Sequence, residues 1–167
     1  MKRNLFLLCV IPLLSCSLFT NENDDYERAL ENWQSEKSSN YEFQFSKGCF
    51  CPALGKVLIE VRADTVYQVL VPGTREIVYV QIDEQTQIPA LEYMPDYFHT
   101  ISELFDVIKD ARNQNAAKIT TDFDPNLGYP LSIDIDYIKN AVDDEVSYLI
   151  SDYKELGPLL TKDSYYN

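Results

Sequence analysis

The sequence predicts an α+β domain: one antiparallel sheet of about six to seven strands with one or two helices packed on one face. Two segments carry apolar residues at helical spacing, several others alternate apolar and polar residues with period two, and Pro, Gly and Asp pairs punctuate them. Helices covering one side of an antiparallel sheet is the layer arrangement such elements build. A length of 167 residues with 46% apolar and 25% charged content suits a single domain and argues against global disorder.

The chain opens with an address. Lys2 and Arg3 precede an apolar run from Leu5 to Leu14, about half the roughly 20 residues a membrane-spanning helix needs, so the run reads as an export signal. Leu13-Leu14-Ser15-Cys16 resembles the lipobox of bacterial lipoproteins, a family pattern in which the peptide before the cysteine is removed and Cys16 becomes lipid-modified. The alternative is an ordinary secretory peptide with Cys16 an unmodified cysteine. The lipobox reading divides the chain into a signal peptide (1–15), the lipidated cysteine and tether (16–24), and a single α+β domain (25–167). Several acyl chains anchor stably. Ser17 at the next position resembles the sorting signal that favours the outer membrane, which implies an envelope protein facing the periplasm.

Loss of Lys2 and Arg3 leaves 12 basic against 27 acidic residues, a net charge of 12 − 27 = −15. Such a surface disfavours nucleic acid as a partner. The expected partners are the membrane, through the lipid anchor, and another envelope protein.

The first folded element is a helix over 25–37, with Tyr26, Ala29, Leu30 and Trp33 on one stripe and Asp24 and Glu27 placed to cap its start. Tyr41, Phe43 and Phe45 alternate with Glu42, Gln44 and Ser46, predicting a strand with one wet face. Strands over 56–62, 66–71 and 75–82 follow, with Ala63-Asp64 and Pro72-Gly73 as turns, and read as a meander. A loop holding Pro89 and Pro95 packs its aromatic residues over a sheet edge. Thr100 and Glu103 form a capping box for a helix to about Asn113, with Ile101, Leu104, Phe105 and Ile108 as its buried stripe. Strands over 118–123, 131–137 and 146–153 complete the sheet.

Gly48-Cys49-Phe50-Cys51-Pro52, Thr100-Ile101-Ser102-Glu103-Leu104-Phe105, Asp122-Phe123-Asp124-Pro125 with Gly128-Tyr129-Pro130, and Asp143-Asp144-Glu145 together resemble the uncharacterised bacterial lipoprotein domain-of-unknown-function family 6174. The likeness runs from about Tyr41 to Tyr153. It implies a coherent fold and an exported address, and no catalytic role.

Cys49 and Cys51 have three readings. Residues two apart in a regular strand are too distant to bond, but flanking Gly48 and Pro52 suggest a bend that brings them into disulfide range. A redox-active dithiol has only Lys47 nearby to lower a thiol pKa. A metal site would have two thiolates and need further ligands, with His99 or Met94 as the available third.

The acidic residues form two groups of candidate binding positions. Asp122 and Asp124, with Asn126 and Gly128, echo a calcium loop but miss its register, and suit a tight turn between strands. Asp134, Asp136, Asp143, Asp144 and Glu145 gather around a strand, a loop and a strand, where they could bind a divalent cation weakly or, if two converged in a pocket, serve a hydrolase. One histidine and five glycines supply no Ser-His-acid arrangement and no phosphate loop. The expectation is a noncatalytic binding or structural module without a cofactor. The alternative is a metal-ion or thiol-redox protein using Cys49 and Cys51.

Overall fold

A computed structural model describes residues 22–158. The signal segment, Cys16 and most of the tether therefore lie outside the described residues. Helix α1 spans Glu22–Glu36, beginning inside the segment expected to be tether. Asp24 thus lies within the helix and does not cap it.

Three strands follow, β1 (Tyr41–Gly48), β2 (Val57–Arg62) and β3 (Thr65–Leu70). The β2–β3 hairpin turns on two residues, Ala63 and Asp64, both at positive φ (48° and 58°), the geometry that matches the twist of the flanking strands. The chain then forms a separate two-stranded ribbon, β4 (Tyr79–Gln81) with β5 (Gln87–Pro89), and a short helix α2 (Ala90–Tyr93). Helix α3 (Ile101–Asn113) carries the full capping box expected of Thr100 and Glu103. Strands β6 (Lys118–Phe123), β7 (Pro130–Asp136) and β8 (Glu145–Glu155) end the described chain.

The main sheet has six strands in the order β3-β2-β1-β8-β7-β6, all antiparallel. It is not one continuous meander. Two three-stranded meanders meet where β8 returns to pair with β1, which places these two strands at the centre. The expected strand over 75–82 is shortened for a physical reason: Arg75 adopts positive φ (61°) and its loop folds back over the sheet, leaving only a single bridge, Leu70 with Ile77, between β3 and this segment.

Both longer helices pack on one face. Tyr26, Ala29 and Trp33 of the expected α1 stripe and Ile101, Leu104, Phe105 and Ile108 of the expected α3 stripe are buried against Tyr41, Phe43, Phe45, Ile133 and Ile135, with Leu30 only partly buried and Ala111 joining them. Trp33 stands edge-on to Tyr41 and Tyr153, with ring centroids 5.5 and 5.7 Å apart, a favoured aromatic geometry. Its indole N–H donates to Ser102 Oγ at 3.2 Å, and the Ile101 N–H donates to the Tyr41 hydroxyl at 3.1 Å. These bonds satisfy polar atoms that burial would otherwise penalise and fix α1 and α3 to one end of β1. The opposite face of the sheet has no helix among the described residues, and it carries the candidate site.

Candidate functional site

Period-two alternation sends Asp134 and Asp136 of β7 to the helix-free face while Ile133 and Ile135 enter the core. Register then sets their neighbours. Thr120, Asp134, Ser147 and Gly48 form one row across β6, β7, β8 and β1, and Lys118, Asp136 and Glu145 form the next. The loop after β7 brings Asp143 to the same place. Asp134, Asp136, Asp143 and Glu145 thus line one open groove of about 600 Å³, together with Cys49, Phe50 and Lys118.

Asp136 and Glu145 are direct partners across the β7–β8 ladder, an arrangement of like charges that weakens strand pairing. Among the described residues, no ion pair within 4 Å reaches any of these four carboxylates. The groove is therefore a concentration of negative charge, its four carboxylates lying beside the one ammonium of Lys118.

The wall contributed by the Cys49-Phe50-Cys51 turn depends on a close approach. Gly48 faces Ser147, and a Cβ at position 48 would collide with the Ser147 hydroxyl. Beyond Gly48 the chain bends, the Cys49 and Cys51 Cα atoms lie 5.2 Å apart and their sulfurs are at bonding distance, within the range a disulfide requires. Phe50, at the tip of this small loop, is 81% exposed.

The other acidic candidates are placed elsewhere. Asp144 turns away from the groove, its Oδ2 accepting the Ile138 N–H at 2.6 Å. Asp122 and Asp124 border a separate groove of about 290 Å³ beside Asp25 and Arg28. Asp124 Oδ1 accepts N–H bonds from Asn126 (3.0 Å) and Leu127 (2.8 Å), and Gly128 takes φ +81°. This carboxylate therefore shapes the turn expected there. Among the described residues no three His, Cys, Asp or Glu side chains converge to hold a metal ion. Neither His99 nor Met94 lines the groove that Cys49 borders.

His99 packs on the helix side, its ring 5.7 Å from that of Tyr148. Burial, followed by the charge of Lys47, pushes its pKa down. Burial also lowers the pKa of Lys47, whose ammonium lies 4.9 and 5.4 Å from the ring centroids of Tyr97 and Tyr148.

Two features escape the sequence reading. Glu42 and Glu60, on the supposedly wet face, are buried and share Arg75. A third groove, of about 320 Å³ and largely apolar, lies between β3 and the β4–β5 ribbon, lined by Tyr67, Val69, Ile77, Tyr79, Pro89 and Leu91 among others. Strands over 66–71 and 75–82 were expected, but only the divergence of the ribbon makes their aromatic residues line a groove.

Residues 25–155 match DUF6174, a family of unknown function. Neither a curated protein nor a solved structure matches the chain.

Proposed function

Because the chain belongs to DUF6174, a family whose function is unknown, membership supplies no activity, and we propose from the residues themselves that it is a lipid-anchored, noncatalytic binding module of the cell envelope. Cys16 is the lipid attachment point and the outer membrane, facing the periplasm, is its address. The contact surface is the helix-free face around Asp134, Asp136, Asp143 and Glu145, and its partner is a cationic segment of another envelope protein.

One observation carries this reading: Asp136 and Glu145 face each other across the ladder, in a groove where four carboxylates outnumber the cation Lys118 and no ion pair within 4 Å forms among the described residues. A like-charge pair costs pairing energy in the free domain, and a cationic ligand recovers it on binding. Exposed Phe50 and Leu149 on the same side add apolar contact to the charge. A surface dominated by carboxylates also speeds encounter with a basic partner in a salt-dependent way.

The test has two parts. Intact mass of membrane-extracted protein should show the chain cleaved before Cys16 and carrying acyl mass, both lost in Cys16→Ala. A synthetic peptide alternating lysine and phenylalanine should shift the NMR signals of Asp134, Asp136, Glu145 and Phe50. Asp134→Lys with Asp136→Lys should weaken it about tenfold, equivalent to about 1.4 kcal/mol. Equal binding by that variant, or shifts spread over the whole acidic surface, would remove the groove from the reading. Shifts of the same residues with Ca²⁺ but not with the peptide would replace the peptide by a divalent cation.

A further inference from the structure

We propose that the outer edge of β6 is a β-addition site, where an extended cationic segment of the partner pairs antiparallel and lays alternate side chains toward the acidic groove. The inference rests on that groove being the contact surface and adds how the partner is held.

The edge is available. Strand β6 ends the six-stranded sheet, and among the described residues it pairs with β7 alone. The Ala117 N–H donates to Tyr137 O at 3.2 Å, one step beyond the Lys118–Asp136 pair in the same register. Hydrogen-bonded and non-bonded pairs alternate in an antiparallel ladder, so Ile119 and Thr121 also bond to β7, while Lys118, Thr120 and Asp122 turn their N–H and C=O groups outward. Such a row is a template for another strand. All three residues are exposed, and no proline interrupts the run. The opposite edge is poorer, because the Leu70–Ile77 bridge and the bond from Val78 N–H to Val69 O, at 3.0 Å, already occupy the end of β3.

Grooves flank this edge. Lys118 and Thr120 line the acidic groove on the helix-free face, and a further groove of about 410 Å³ follows β6, lined by Ala116, Ala117, Ile119 and Thr121 among others. Ile119 pairs with Ile135, which is buried in the core, so Ile119 and Thr121 lie on the helix side. Residues directly opposed in an antiparallel pair share a face. An added strand therefore sends the residues opposite Lys118, Thr120 and Asp122 to the acidic side, and those opposite Ile119 and Thr121 to the side lined by small and apolar residues.

Charge selects the occupant. Thr120 stands opposite Asp134, and Lys118 opposite Asp136. A lysine of the added strand opposite Thr120 extends over that short side chain toward Asp134, two strand spacings or about 9.6 Å away. A lysine opposite Asp122 meets a carboxylate directly, whereas Lys118 repels a cation at the third position. Running antiparallel to β6, the segment that fits reads lysine, apolar, lysine, apolar, uncharged polar from its N-terminus. A second copy of this chain fits less well, because with 27 acidic against 14 basic residues it brings more negative charge to a groove that is already acidic.

The test uses the full chain, isotopically labelled, and a capped pentapeptide of the order lysine, phenylalanine, lysine, phenylalanine, serine. At saturation the peptide should slow amide exchange at Lys118, Thr120 and Asp122 about tenfold and leave Ile119 and Thr121, already bonded to β7, unchanged. Methylating the backbone nitrogens of the two peptide lysines removes their bonds to Thr120 O and Asp122 O and should weaken binding about tenfold. Methylating the backbone nitrogens of the two phenylalanines, which point away from β6, should leave affinity unchanged at the same charge. Equal affinity of the two methylated peptides overturns the edge site, and if both still shift the signals of Asp134 and Asp136, the groove reading stands without it. Protection of Thr65–Gln68 in place of β6 assigns the peptide to the other edge and also overturns the proposal. No shift with the unmodified peptide removes the groove reading and this inference together.

Discussion

Glu42 and Glu60 face each other directly across the β1–β2 ladder, both buried, and the Arg75 guanidinium reaches both, at 2.7 and 3.1 Å. Arg62 takes the other oxygen of Glu60 at 2.7 Å, Gln68 donates to Glu60 at 3.1 Å, and Lys154 approaches Glu42 at 3.5 Å. The same sheet thus holds two opposed carboxylate pairs. One is clamped by a loop that folds down to supply the cation; the other, Asp136 with Glu145, makes no ion pair within 4 Å among the described residues. The contrast separates a structural pair from a candidate binding pair, although both look alike in sequence.

Arg75→Ala should destabilise the domain by about 1–3 kcal/mol. Removing one partner from a buried charge pair costs more than this, but Arg75 is 47% exposed and solvent screens part of its attraction. The urea midpoint should fall, and adding Glu42→Gln should restore part of it by removing the repulsion. An unchanged midpoint in Arg75→Ala would place the weight of the network on Arg62 and Lys154.

The central strands were legible because each buries one full face, so the alternation of Tyr41, Phe43 and Phe45, or of Ile133 and Ile135, has a single solution. The capping box of α3 was equally plain, since its two bonds are local. Long-range pairing was not. Nothing in the spacing of 41–48 and 145–155 says that β8 returns to β1, and Arg75 carries no local sign that it will leave its strand to neutralise two glutamates. The acidic site was half visible for the same reason. Residues 134, 136, 143 and 145 share the groove through register, whereas Asp144, in the same acidic run, turns to cap a backbone N–H.

Gly128→Ala should be among the most damaging single-methyl changes. Gly128 sits at φ +81°, and an added Cβ would meet the carbonyl of Ala29 in α1, backbone that cannot step aside. A loss of about 2–4 kcal/mol is expected, combining left-handed strain with displacement of the helix. Gly73→Ala is the control, with φ +91° and open space around the site, and should cost only the strain, about 1–2 kcal/mol. Equal midpoints in urea for the two variants would contradict close packing of α1 on the β6–β7 turn.

Reduction of the Cys49–Cys51 pair should leave the fold largely intact. A three-residue loop restrains the unfolded chain little, and the chain-entropy relation gives about 1.6 kcal/mol, roughly half that for a 15-residue loop. The effect should instead be local, freeing Phe50 at the rim of the acidic groove. Intact mass should rise by two hydrogens on reduction, with a small change in urea midpoint and NMR shifts confined to residues around 48–52 and Ser147. Global unfolding on reduction would show that the turn anchors more than the groove wall.

Stability should rise with pH through the window just below 6.5 because of His99. Burial, then the nearby charge of Lys47, lowers its folded pKa beneath the ordinary 6.5. Between the two values the unfolded chain binds the proton more readily, so the folded state loses ground as pH falls; above about 6.5 neither state is protonated and the dependence ends. His99 is the sole histidine in the chain, so one imidazole resonance reports its titration without ambiguity. His99→Phe keeps a ring against Tyr148 and removes the proton, which should flatten the urea midpoint over the window just below pH 6.5. Parallel profiles for the two proteins, or an imidazole titrating above 6.5, would mean that His99 is hydrated in solution and carries no such linkage.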